Sequence, residues 1–192
     1  MKPIKTLLVA FCLITISGCY PKVDPSLLYI GSVEASPDTL TEAGRAINEN
    51  IATNLKNRFD SSYIDYNIAS HPVVYPKYYG GFYLNGRVKP VFIVVGDTAI
   101  ARADMSKRME NNDFLLKQGE YSSHELDSIL NIINSKISDR TLNMYSAGVS
   151  TPINRIIVGL DKCSPRNIYR FKKYVTDSPA VLFEEATPVI LL

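Results

Sequence analysis

The pattern that most restricts the fold of this chain is a hairpin, helix and strand signal that occurs twice. In the first copy, Val91-Phe92-Ile93-Val94-Val95 is apolar throughout, which predicts a central strand covered on both faces. Gly81 to Leu84 reads as its hairpin partner around Asn85-Gly86, with room for the loop to extend through Val88 because Pro90 is tolerated at a strand start. A helix over about 98–110, capped by Asp97, and a short strand around 114–118 follow. In the second copy, Met144 to Ser150 pairs with Asn154 to Leu160 around Thr151-Pro152. A helix then runs from about Pro165 to Val175, with Ser164 as N-cap and Pro165 at the first helical position, and Ala180 to Glu184 closes the copy. Residues 79–119 and 145–186 thus share one order, with Gly81 and Gly148 on the first strands and Val95-Gly96 and Val158-Gly159 near the ends of the second. The fold class this implies is α+β, two ββαβ repeats with helices packed on one face of the sheets.

Two further helices frame the repeats. One runs from about Thr39 to Phe59 with Asp38 as N-cap and a buried stripe of Ala43, Ala46, Ile47, Ile51 and Leu55. The other, about Ser123 to Ser138, joins the copies. It opens on Ser122 and Glu125 at capping-box spacing and buries Leu126, Ile129, Leu130, Ile133 and Ile137. Between the first helix and the first hairpin, residues 61–77 carry Pro72 and Pro76 and read as an irregular connection with a short strand.

Ahead of the first helix, Lys2 and Lys5 precede an apolar run from Leu7 to Ile16, and Ile16-Ser17-Gly18-Cys19 closes it. That is the layout of a secretory signal, and the run is roughly half the ~20 residues a membrane span needs. The closing tetrad resembles the bacterial lipoprotein lipobox. The resemblance implies cleavage after residue 18, diacylglycerol (and usually palmitate-type acylation) on Cys19, and a lipid-anchored protein of the bacterial cell envelope, at the outer membrane in a Gram-negative cell. Residues 19–37 then form the lipidated N-terminus and tether, and 38–192 a single α+β domain with the internal repeat.

Subtracting the signal changes the chemistry. Loss of Lys2 and Lys5 turns 21 basic against 19 acidic residues into 19 against 19. A balanced chain offers no electrostatic footprint for nucleic acid. Of three cysteines, Cys12 leaves with the signal and Cys19 is lipidated, so Cys163 is left without a disulfide partner. With His71 and His124 as the only histidines, no zinc-spaced cluster exists, and no metal or cofactor is expected. Asp60 and Asp65 lack the spaced oxygen ligands of a calcium loop.

Several segments resemble the pro-regions of secreted bacterial serine proteases of the alpha-lytic protease and streptogrisin kind, and related modules that precede trypsin-like domains. They are Tyr75-Pro76-Lys77-Tyr78-Tyr79-Gly80-Gly81-Phe82-Tyr83-Leu84, Tyr121-Ser122-Ser123-His124-Glu125-Leu126, and Asn154 to Leu160 continuing into Phe171 to Val175 and Asp177 to Glu184. The resemblance implies a domain that binds a protease, assists its folding and inhibits through its C-terminal tail. The sequence departs from that pattern in having no protease domain after Leu192. By position alone, Thr187 to Leu192 corresponds to the cleft-binding tail.

No coherent catalytic set emerges. Cys163 precedes a helix and follows Lys162, an environment that lowers a thiol pKa, but a nucleophile also needs His71 or His124 in contact. No G-x-S-x-G elbow occurs. Tyr63, Tyr66, Tyr75, Tyr78, Tyr79 and Tyr83 crowd into 21 residues, which suits an interaction surface or equally a half-buried packing surface. The expectation is a non-catalytic, membrane-anchored interaction protein whose partner is an envelope protein such as a protease. The alternatives are a small-ligand binder using the tyrosine-rich surface and a thiol enzyme using Cys163.

Overall fold

The computed structural model describes residues 24–28 and 41–187. Its first long element is α1 (Glu42–Ser61), followed by β1 (Tyr79–Leu84), β2 (Pro90–Val94), α2 (Thr98–Met109) and β3 (Leu115–Gln118). The second half repeats the order with α3 (Ser123–Asn134), β4 (Met144–Ser150), β5 (Arg155–Leu160), α4 (Pro165–Tyr174) and β6 (Val181–Glu185). Each half carries a three-stranded sheet in sequence order, an antiparallel hairpin followed by a parallel crossover through a helix. Both hairpins bulge near the start of their first strand, at Tyr79/Gly81 and at Met144/Ser146, so even the irregularity repeats.

The repeat is one helix longer than the hairpin signal suggests. α3 packs on β4 and β5, placing Leu126 and Ile133 in one core with Ile156, Phe171 and Phe183. α1 does the same for the first sheet, burying Leu55 and Phe59 with Phe92, Met105 and Phe114. The helix expected to join the copies is therefore the opening helix of the second αββαβ unit, and each unit has its own core.

Strand β2 is buried along its whole length, as a central strand must be. Phe92 and Val94 face the helices of their own unit. Ile93 points to the opposite face, where its Cγ2 lies 2.7 Å from the position a Gly80 side chain would occupy. In the hairpin loop before β2, Asn85 Oδ1 accepts the amides of Arg87 (3.0 Å) and Lys89 (2.9 Å), which carries the turn past Gly86.

Helix ends show where local signals are overruled. Asp97, Ser122 and Ser164 cap α2, α3 and α4 as expected, and Ser122 with Glu125 forms the reciprocal capping box. α1 is capped by Thr41, whose hydroxyl accepts the Gly44 amide at 3.2 Å, so Asp38 is not the cap and lies outside the described residues. Of the five residues in the stripe predicted for α1, one is buried. Leu55 is buried, but Ile47 is 60% exposed and Ile51 41%, and Ala43 and Ala46 are not buried either. α2 is 12 residues against the 20 of α1, so it covers only the C-terminal turns, where Ala52, Leu55 and Phe59 carry the burial. α3 ends at Asn134, where the backbone bonds tighten to three-residue turns (the Lys136 amide to the Ile133 carbonyl, the Ile137 amide to that of Asn134), leaving Ile137 exposed beyond it.

The connection between α1 and β1 is irregular, with an antiparallel bridge between Ile64 and Val73. Ahead of α1, a short 3-10 turn (Pro25–Leu27) leads to Leu28, which bridges Phe183 at the outer edge of β6. Tyr29, Ile30 and the remaining tether, like the Cys19 region and the tail beyond Thr187, lie outside the described residues.

Candidate functional site

Two constellations stand out, one inside the first unit and one between the units. The first gathers four of the six clustered tyrosines. Phe59 is fully buried at its centre, with ring centroids 5.1 Å from Tyr63, 6.0 Å from Tyr75 and 5.1 Å from Tyr79. Tyr75 and Tyr79 are 4.3 Å apart. On the surface side, the Tyr63 and Tyr78 hydroxyls each donate to Asp104 Oδ2 at 2.6 Å and lie 2.7 Å from one another. Arg108 completes the set, its Nε 2.9 Å from Asp104 and its guanidinium 4.3 Å above the Tyr63 ring. Tyr75 donates to Asp60, which pairs with Lys56. The rings thus staple α1, the 62–78 connection and α2 together.

The other two tyrosines stand apart from this cluster. Tyr66 is 70% exposed, its ring 5.3 Å from His71. Tyr83 is half-buried on β1 and lines a shallow cleft with Lys117 and Pro152. Sequence reasoning misses Asp104 and Arg108, because nothing in a helical stretch announces which carboxylate will receive a distant phenol.

The electrostatics follow from this packing. Burial, then the hydrogen bond to Asp104, pushes the Tyr63 hydroxyl up to about 12. Tyr78 and Tyr79 are raised as well, both chiefly by burial. Burial acts to raise Asp104, but the hydrogen bonds from Tyr63, Tyr78 and Arg108 outweigh it and hold the carboxyl below its ordinary range. For an acid raised in the folded state, the neutral form is favoured by folding. The phenol contribution is therefore complete below pH 10 and lost as pH climbs through about 12. Guanidinium midpoints measured from pH 9 to 12 should fall, and Tyr63→Phe should flatten the fall. An unchanged slope in the variant would contradict this assignment.

The second constellation is the junction between units, organised by Asn154. This residue sits at φ 54°, and it is 4% exposed. Its Oδ1 accepts the amides of Glu120 (2.7 Å) and Tyr121 (2.8 Å), while Nδ2 donates to the carbonyls of Tyr121 (2.8 Å) and Gly80 (3.4 Å). One buried amide side chain thus makes four bonds, spanning β1, the linker between units and the start of β5. Gly80 and Gly119 flank it, and a Cβ on Gly80 would come within 3.0 Å of the Tyr121 carbonyl as well as striking Ile93. Lys117 donates to the Pro152 carbonyl at 2.9 Å, and Arg155 pairs with Glu120 at 2.7 Å while lying 4.9 Å over the Tyr121 ring. Beside this seam opens a cleft of about 260 Å³ lined by residues of both units, among them Lys56, Phe82, Asp127 and Thr151. The sequence alone presents Asn154 as an ordinary strand start and Gly80-Gly81 as no more than strand glycines.

Cys163 follows β5 in the turn before α4, half-buried against the second core. Burial pushes its thiol up, and the Glu185 and Glu184 carboxylates add to the rise. That is the opposite of the activation expected from the helix end and Lys162. Iodoacetamide at neutral pH should alkylate Cys163 more slowly than free cysteine, and a faster rate would restore the nucleophile reading. Among the described residues, no group of three or more His, Cys, Asp or Glu side chains is placed to hold a metal ion. Asp60 faces Lys56 and Tyr75, while Asp65 accepts from Asn67.

The family model of the Pro-like N-terminal domain matches residues 40–119, and that of the Pro-like C-terminal domain matches residues 124–186. No curated protein matches the chain significantly. The matched spans coincide with the two αββαβ units, opening helices included, and agree with the pro-region resemblance drawn from the strand and turn segments. The chain thus has the Pro-like architecture, a Pro-like N-terminal domain followed by a Pro-like C-terminal domain.

Proposed function

We propose that this protein is a non-catalytic, protease pro-region-like binding module held at a bacterial envelope membrane by lipid on Cys19, with an envelope protease as its partner. The observation that carries the binding reading is the tandem of Pro-like domains over residues 40–186. The raised Cys163 thiol supports a role without covalent chemistry. The anchor rests on the lipobox at Ile16-Ser17-Gly18-Cys19. Among the described residues no helix is long and apolar enough to cross a membrane. A ligand pocket at the tyrosines is less well supported, because the Tyr63, Tyr75 and Tyr78 hydroxyls are engaged with Asp104, Asp60 and one another.

Pull-down with the acylated protein from detergent-solubilised envelope tests the binding reading, with recovery of a serine protease as the expected result. Recovery of only lipids and abundant contaminants would reject it. Palmitate labelling tests the anchor separately. Label should be incorporated by the native chain and lost in Cys19→Ser.

A further inference from the structure

The second unit gathers cations along one cleft. Lys136 after α3 and Arg166, Arg170 and Lys173 on α4 line this open space of about 620 Å³, where Asp139 is the one lining carboxylate among the described residues. Asp139 is already committed: its hydrogen bonds from Thr141 hold it low, with smaller contributions from Arg170 and Lys136. Tyr169 and Tyr174 rise from the same helix, 48% and 57% exposed, with Lys173 5.9 and 5.2 Å from their ring centroids. Cations flanked by half-exposed tyrosines suit the headgroup layer of a bilayer, where the ring meets the apolar boundary and the charges meet phosphate.

The N-terminal segment places the tether on the same unit as this face. Leu27 and Leu28 pack on the core of the second unit, and Leu28 bridges β6. Asp24, held low mainly by the Ser26 amide, also feels the charge of Lys172 on α4. Cys19 is five residues further back, a distance of at most about 18 Å along an extended chain. Lipid at Cys19 therefore holds the second unit, with α4, close to the bilayer.

We propose that the cationic, tyrosine-flanked face formed by Lys136 and α4 docks on anionic phospholipid headgroups of the membrane that carries the Cys19 anchor. The inference rests on the anchor reading, and it adds an oriented contact to the lipid attachment. The tether leaves from the unit that carries this face, near Lys172 on the same helix, so a lipid anchor brings α4 within reach of headgroups, which favours the membrane over an acidic polypeptide.

The test uses the full-length protein purified from its membrane, with mass spectrometry of the N-terminus and flotation on phosphatidylcholine vesicles reporting the anchor. Lysine acetylation footprinting then reports the face. On vesicles with about 30% phosphatidylglycerol, Lys136 and Lys173 should be modified at least about fivefold more slowly than on pure phosphatidylcholine, with Lys89 unchanged as reference and the protection lost in high salt. Arg166→Gln/Arg170→Gln, two exposed or half-exposed substitutions, should abolish that protection without moving the unfolding midpoint. If the N-terminus proves unmodified, the anchor reading fails, while flotation on anionic but not neutral vesicles still supports the face. Equal footprints on both vesicle types overturn the proposal. Protection of the same lysines by polyglutamate but not by anionic vesicles overturns it in favour of an acidic polypeptide.

Discussion

Phe59→Ala should destabilise the first unit by about 4 kcal/mol, the range for removing a large aromatic from a packed core. Phe59 is fully buried and touches the rings of Tyr63, Tyr75, Tyr79 and Phe92. Its loss opens a cavity beneath rings whose hydroxyls are pinned at Asp104 and Asp60, so collapse would have to break those hydrogen bonds. The rings cannot relax into the void at no cost. Chemical denaturation followed by tyrosine fluorescence measures this well in a chain with 12 tyrosines and no tryptophan. Phe59→Leu should recover more than half of the loss. A cost below about 1 kcal/mol for Phe59→Ala would mean the cluster is not the core of this unit.

Asn154→Ala should cost about 3 kcal/mol, because it removes a buried side chain that makes four hydrogen bonds and leaves the part-buried amides of Glu120 and Tyr121 without their acceptor. Asn154→Gly separates the causes. It keeps the φ 54° backbone free of strain but removes the same four bonds, so it should recover only about 1 kcal/mol. The more telling effect is on cooperativity. Each unit has its own core, and Asn154 is the side chain that ties β1, the linker and β5. Denaturation of Asn154→Ala should therefore broaden or split into two transitions, one per unit. A single sharp transition at a lower midpoint would show that the remaining contacts, such as Lys117 to Pro152 and Arg155 to Glu120, couple the units unaided.

What the sequence discloses divides along the range of the interactions. Asp97, Ser122 and Ser164 can be read as caps because a cap acts within three residues. β2 can be read as central because five consecutive apolar residues have few other uses. The exposed half of α1 is hidden, since periodicity reports which face can be buried and not how far the neighbouring helix reaches. Among candidate sites, the tyrosine crowding is visible, but Asp104 lies 41 residues from Tyr63 and 26 from Tyr78. Asn154 is hidden for the same reason, its acceptors and donors lying 33 to 74 residues away.

The bridge between Leu28 and Phe183 has one further consequence. A terminal parallel strand such as β6 presents a row of unpaired amides and carbonyls that invites another chain to add on. Leu28 occupies part of that row, and Leu27 beside it packs on the same core. The segment nearest the proposed lipid is therefore also a guard against strand exchange. A chain trimmed to begin at Thr41 keeps both αββαβ units but bares the edge. It should self-associate at concentrations where the protein retaining Asp24 to Leu28 stays monomeric by sedimentation velocity.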